Sequence, residues 1–228
     1  MTAPRKRITL TFDNGPTEDI TPAVLATLRR FGVRSTFFVL GQNITSEAAR
    51  KLIEQAADEG HWVGNHTYTH SVPLGQLEGD DVPYLEIGRT QELIGAISHP
   101  SKFFRPFGGD GSLGRHLLSP QAFEFLRQAR YTCVLWNSVP RDWENPDGWV
   151  EIALAQARAL EWALIVLHDY DTGAMCHLES FLSTALEEGF EFAQEFPPDC
   201  VPMERGIVKH PMNAFIALPT DGLQEKAP

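Results

Sequence analysis

The chain is short of cysteine, of basic residues and of long apolar runs, and each shortage removes a class of protein. Its 228 residues include three cysteines, Cys133, Cys176 and Cys200, with no C-x-x-C pair. An odd, scattered set argues against a disulfide framework and against a thiolate zinc site. Lysine and arginine number 19 against 30 acids, a formal charge of −11. A surface of that sign repels phosphate backbones, so neither nucleic acid nor anionic membrane is an expected partner. No apolar stretch approaches the ~18 residues of a membrane span. The opening segment Met1–Arg7 is basic, but the run behind it, Ile8–Phe12, is shorter than a signal-peptide core and meets Asp13 at once. The expected address is therefore the cytoplasm, where the N-x-T sequons at Asn43 and Asn65 carry no meaning. Repeats and low-complexity segments are also missing. What is present is an ordinary globular balance, 43% hydrophobic and 21% charged.

Strand-like and helix-like segments alternate along the chain. Arg7–Phe12 alternates polar and apolar residues and reads as a strand. Thr21–Phe31 reads as a helix, with Thr21 as N-cap, Pro22 at the first helical position and Gly32 as the stop. Ser35–Leu40 is a nearly continuous apolar strand, suited to burial on both faces. Further helices are expected over Ser46–Glu59, Val82–Ser98 (weakened by Gly88 and Gly95), Gln121–Arg130, Asp147–Leu160 and Leu178–Glu188. Further strands are expected over Trp62–Asn65, Lys102–Arg105, Tyr131–Asn137 and Ala163–His168. This order indicates an α/β protein, a single domain over residues 1–195 with a mostly parallel sheet or barrel of about six or seven strands. Beyond Glu195 the texture changes: six of the 16 prolines fall between Pro197 and Pro228. Residues 196–228 are expected to form an arm packed on the barrel or on a second copy of the chain, frayed at its end.

Reactive side chains gather at the C-terminal ends of the expected strands: Asp13, His66 and His70, Arg105, Asp142, then His168 and Asp169. In parallel α/β folds that rim binds ligands, because every strand delivers its next residues to the same mouth. His66 and His70 lie four apart. On a helical turn both imidazoles face one way and can share a metal ion, although an isolated H-x-x-x-H is more often two unrelated polar histidines. Asp13-Asn14-Gly15-Pro16 taken alone is a tight turn. His168, behind Ile165-Val166-Leu167, taken alone is a satisfied core histidine.

In this order and spacing the segments resemble the polysaccharide deacetylase family, the carbohydrate esterases that include chitin, peptidoglycan and nodulation-factor deacetylases. The resemblance covers roughly residues 7–186. Thr11–Pro16 (TFDNGP) matches the family's T-F-D-D-G-P, and His66–His70 its H-[ST]-x-x-H. Arg105 and Gly109 match part of R-x-P-x-G, Asp142-Trp143 part of D-x-x-D-W, and Leu167-His168 the strand ending in L-H. The resemblance implies a single distorted (β/α) barrel with fewer than eight regular units and hydrolysis of a non-peptide C–N bond, N-deacetylation of an acetylated sugar or oligosaccharide. It casts Asp13 as general base, Arg105 as its partner, His66 and His70 as metal ligands and His168 as general acid. It makes Phe107 or Gly108 the source of an oxyanion-binding N–H. Trp143, Leu167 and Asp142 become substrate-binding residues. Tyr68, Phe107, Trp136 and Trp143 are the aromatics expected near the rim.

Two departures follow. The family's metal-binding aspartate falls at Asn14, a neutral amide. A divalent metal, zinc in the first instance, is therefore expected to be held weakly or not at all. The first aspartate of the fourth motif, which the resemblance assigns to orienting the acid, falls at Val139. Without Asp142 or Asp169 in its place, His168 is expected to be loosely oriented with a lowered pKa. The alternatives to N-deacetylation are a metal-independent hydrolase of another small amide or cyclic ureide, and a non-catalytic carbohydrate-binding homologue.

Overall fold

The computed structural model describes residues 5–218. Seven parallel strands build the barrel wall: β1 (Arg7–Asp13), β2 (Thr36–Val39), β3 (Trp62–Asn65), β4 (Phe103–Phe104), β5 (Thr132–Cys133), β6 (Trp162–His168) and β7 (Glu191–Ala193). Six α-helices accompany them: α1 (Thr21–Phe31), α2 (Glu47–Asp58), α3 (Arg89–Ile94), α4 (Pro120–Gln128), α5 (Trp149–Ala159) and α6 (Leu178–Glu187). The sheet runs β6-β1-β2-β3-β4-β5, with β7 also paired to β1. A parallel bridge between Ser138 and Ile165 ties the segment after β5 back to β6.

Alternation along β1 and β6 divides the molecule into two apolar layers. Ile8, Leu10 and Phe12 of β1, with Ala163, Ile165 and Leu167 of β6, pack outward against α1, α2, α5 and α6. Leu164 and Val166 of β6 turn inward with Phe38 and Phe104. Asp13 and His168 are register partners at the tops of β1 and β6. The barrel is distorted because one edge of β1 serves two strands: β7 pairs at Arg7–Thr9, whereas β2 pairs at Thr11–Asp13.

Several expectations are corrected. Thr21 is the first helical residue and does not cap α1. Its hydroxyl donates to Asp169 Oδ2 at 2.6 Å, so a distant carboxylate has recruited it. The expected helix Val82–Ser98 breaks into a π-helical turn at Tyr84–Gly88, α3, and a 3₁₀ turn at Gly95–Ile97, because Gly95 adopts φ 56°. The expected strand Tyr131–Asn137 pairs only at Thr132–Cys133. Past it the backbone bonds singly, Val134 N to Phe104 O and Leu135 N to Cys200 O. The arm contributes two antiparallel strands, β8 (Met203–Glu204) and β9 (Ile207–Val208), added to β5. Their two-residue turn places Arg205 and Gly206 at φ 48° and 79°, the left-handed pair that such a hairpin requires. The fraying expected at the end of the arm concerns residues 219–228, which lie outside the described residues.

Candidate active site

Asp13 is 3% exposed, and its carboxylate is held from below. Arg105, itself fully buried, donates from one guanidinium nitrogen to Asp13 Oδ1 at 2.9 Å and to Thr11 Oγ1 at 2.6 Å. The guanidinium lies 4.2 Å from the Phe38 ring centre, and its other nitrogens point at the Val134 and Leu135 carbonyls. Burial lowers the Arg105 pKa, and Asp13 works against that shift. A buried arginine paired in this way fixes the position of the carboxylate.

His168 is the mirror arrangement on β6. Asp142, fully buried, accepts from the His168 backbone N–H at 2.9 Å and from Nδ1 at 2.8 Å. Burial alone would lower the His168 pKa. The hydrogen bond and charge of Asp142, with the charges of Asp13 and Asp169, outweigh burial and leave it raised. Asp142, three residues after Val139, supplies the carboxylate left open between Asp142 and Asp169, so the loose, low-pKa histidine expected without one does not arise. It touches His168 and is not among the residues that line the cavity, where the resemblance had placed it as a substrate-binding residue. Trp143 packs edge-on against the His168 ring at 4.9 Å, and Tyr170 does so from another side at 5.7 Å.

His66 and His70 lie on a loop after β3 and not on a helical turn, since Thr67 and His70 have φ 73° and 52°. Their rings nevertheless lie 5.0 Å apart, and His70 stacks on Phe107 at 3.7 Å. His66 Nδ1 bonds the Arg105 carbonyl at 2.8 Å, and Nε2 lies 3.5 Å from Asp13 Oδ2. Protonating Nδ1 toward that carbonyl leaves Nε2 as the free lone pair. Burial lowers both imidazoles to about 3, His70 with help from His66, so both are neutral at ordinary pH.

These groups surround a cavity of about 210 Å³ lined by Asp13, Asn14, His66, His70, Phe107, Gly108, Trp136, Val139, Trp143, Val166, His168 and Tyr170. Leu167 is not among them: strand alternation turns it outward into the helical layer, and Val166 supplies the wall instead. Tyr68 also points elsewhere, beneath the Arg89 guanidinium at 4.0 Å. Tyr170 and Val166 were not singled out from sequence. Their nearness to His168 was the available signal, since alternate residues of a strand share a face.

Asn14, at φ 75°, lines the cavity, and its buried Oδ1 finds no hydrogen-bond partner among the described residues. Two neutral imidazoles and an unpartnered amide oxygen around one cavity suit a divalent cation chemically. Among the described residues no three His, Cys, Asp or Glu side chains form a metal cluster. His66, His70 and Asn14 are the residues that would hold the ion.

Comparisons with known proteins agree with this geometry. A chitooligosaccharide deacetylase from Rhizobium leguminosarum bv. trifolii is 34% identical over 166 residues, covering 72% of this chain and 72% of that protein. The peptidoglycan-N-acetylglucosamine deacetylase PgdA of Listeria monocytogenes is 29% identical over 189 residues; the match takes in 82% of this chain but only 37% of that protein's length. A family 4 carbohydrate esterase from Streptomyces lividans, solved with acetate, has the same fold at TM-score 0.70 and 28% identity, over 86% of this chain and 96% of that one. Residues 1–131 match the family model for polysaccharide deacetylases. Asp13, His66, His70 and His168 line one cavity, with Arg105 behind Asp13, and by the matching family model and relatives the chain belongs to the polysaccharide deacetylase family.

Proposed function

We propose that this protein removes the acetyl group from an N-acetylated sugar or short oligosaccharide by hydrolysis of its acetamide. The observation that carries the reading is that a held carboxylate and a held imidazolium are register partners at one cavity mouth. Asp13 accepts a proton from a water molecule as its oxygen attacks the acetamide carbonyl. The oxyanion that develops needs donors, and the backbone N–H groups near Phe107 and Gly108 are the nearest candidates in the cavity wall. His168 then donates its Nε2 proton to the departing nitrogen, without which the C–N bond cannot break to a neutral amine. The acetic acid formed returns a proton to His168 and leaves as acetate with the amine, and the proton on Asp13 passes to solvent, which restores both groups. His66, His70 and Asn14 are the residues that would hold a divalent cation, and the chemistry it would supply there is Lewis acidity. The neutral third ligand favours a second reading, in which the same base and acid cleave another small amide without a cation. The intact base and acid pairs speak against a non-catalytic binding module.

The cavity suits one sugar ring, with Trp136, Trp143 and Tyr170 as its aromatic faces. The proposed address is the cytoplasm; it is supported by Cys133, Cys176 and Cys200 all being free thiols, the state a reducing compartment maintains. The test is acetate release from a panel of N-acetylated mono- and oligosaccharides, with and without added zinc, against the Asp13→Asn variant. Release by the native chain and none by the variant is expected. Equal behaviour of the two, at saturating zinc, would overturn the proposal.

A further inference from the structure

The loop that carries His66 and His70 is an unusual piece of chain, and it is tied down from two sides. Its carbonyls are satisfied by one neighbour: Gly41 N–H donates to Thr67 O, Gln42 N–H to Tyr68 O, and Gln42 Nε2 to Thr69 O. The Thr67 N–H donates to Asn65 Oδ1 at 3.0 Å, and the donors of Tyr68 and Thr69 go to a single side chain. Glu86 Oε2 accepts from the backbone N–H of Tyr68 at 3.1 Å and of Thr69 at 2.9 Å, and Oε1 accepts from the Thr69 hydroxyl at 2.8 Å. Glu86 is 8% exposed, and among the described residues no lysine or arginine forms an ion pair with it. A buried carboxylate is costly unless its oxygens are filled, so these three bonds are what keep it in place. It stands in the π-helical turn Tyr84–Gly88, whose extra residue re-aims side chains, and the adjacent Ile87 carbonyl accepts from Asn65 Nδ2 at 2.8 Å.

We propose that Glu86 is a positioning residue for the His66–His70 pair. Its carboxylate closes the loop into the left-handed turns at Thr67 and His70 that bring the two imidazole rings within 5.0 Å of each other, and it acts through hydrogen-bond geometry rather than charge. The inference deepens the proposed function, because the pair it orients lines the site of that reaction.

Geometry and charge are separable by substitution. In Glu86→Gln the amide oxygen still accepts both backbone N–H groups. Its NH2 donates to the Thr69 hydroxyl, which already lies 3.0 Å from Ser71 Oγ and can turn its own proton there. In Glu86→Asp the charge stays, but the shortened side chain cannot reach both amides. The experiment measures amide exchange at Tyr68 and Thr69 by NMR in the full, metal-free chain, zinc affinity by calorimetry, and kcat/KM on the N-acetylated substrate. The Asp and Ala variants should lose protection at both amides by about tenfold or more, and the Gln variant should stay within about threefold of native. Zinc affinity and kcat/KM should follow the same ranking, with the pH limits of activity unmoved. Native protection in Glu86→Ala, or rescue by Asp and failure of Gln, would overturn the proposal. If Glu86→Ala fails to fold, the Asp and Gln pair still decides. If the native chain proves inactive on acetamides, exchange and zinc affinity still decide, so the two readings fail separately.

Discussion

Replacing Asp142 by asparagine removes one charge from beneath the acid and keeps its volume. The carboxylate receives two donors from His168, the backbone N–H and Nδ1, at 2.9 and 2.8 Å. A carboxylate accepts both, whereas an amide accepts one and presents its NH2 to the other. The introduced amide must therefore either repel the backbone N–H or force Nδ1 to become an acceptor. The loss of charge matters more: two unit charges about 4 Å apart at an effective dielectric of about 20 interact by about 4 kcal/mol, or about 3 pKa units. With one hydrogen bond retained, a fall of about 2 units is expected. Burial, which already opposes protonation of His168, is then countered only by the charges of Asp13 and Asp169. The general acid works only when protonated, so its raised pKa sets where activity fades as pH rises. In the variant that limit should move acidward by about 2 units, and kcat/KM near neutrality should drop about a hundredfold, less what a stronger acid regains. The assay is acetate release across pH 5 to 9 (a range of roughly two units either side of neutrality), with an NMR titration of His168. An unmoved basic limb and an unmoved imidazole titration would refute the assignment of Asp142 as the group that tunes the acid.

Two further outcomes follow from buried oxygens. Asn14→Asp adds a full charge where an amide oxygen now finds no partner, and zinc affinity measured by calorimetry should tighten about tenfold or more; unchanged affinity means that residue 14 does not touch the ion. Asp169 is fully buried, and burial raises its pKa to about 7 although Thr21 opposes the shift. A folded-state carboxyl that holds its proton longer than the unfolded chain makes stability fall as pH rises from about 4 to 7, by at most about 4 kcal/mol. Asp169→Asn should flatten that part of the stability curve in denaturant melts; a slope equal to the native one would exclude Asp169 as its source.

The strands and the rim were legible because both are written in local pattern. Ile8-Thr9-Leu10-Thr11-Phe12 alternates, and the structure uses the alternation to send the apolar residues to the helices and Thr11 and Asp13 to the interior. Asp13, His66, Arg105 and His168 stood at strand ends, where a parallel barrel gathers them. What local pattern does not carry is partnership across the chain. Asp142 and His168 are 26 residues apart, and it is the fold that brings Asp142, rather than the position of Val139, against the imidazole. Thr21 looked like a cap because its flanking residues suit one, but a carboxylate 148 positions away took its hydroxyl. The hairpin β8–β9 has two-residue strands and no periodicity to read, and Glu86 sat in what looked like an ordinary helix.

The charges around the cavity explain how an acidic protein comes to have a site that lacks acid where the family has it. Asp13 is matched by Arg105 and Asp142 by His168, each within hydrogen-bond distance. The two remaining imidazoles are kept neutral by burial, and Asn14 brings no charge. The pairs cancel, so the cavity as it stands is balanced without a cation and can fold without one. An aspartate at position 14 would leave an unmatched negative charge in a buried wall, which only an ion or a proton could offset. The asparagine therefore trades affinity for independence: Asp13 and His168 stay aimed by Arg105 and Asp142 whether or not a cation is held. The fold's stability should accordingly respond little to a chelator, while catalysis reports directly on occupancy.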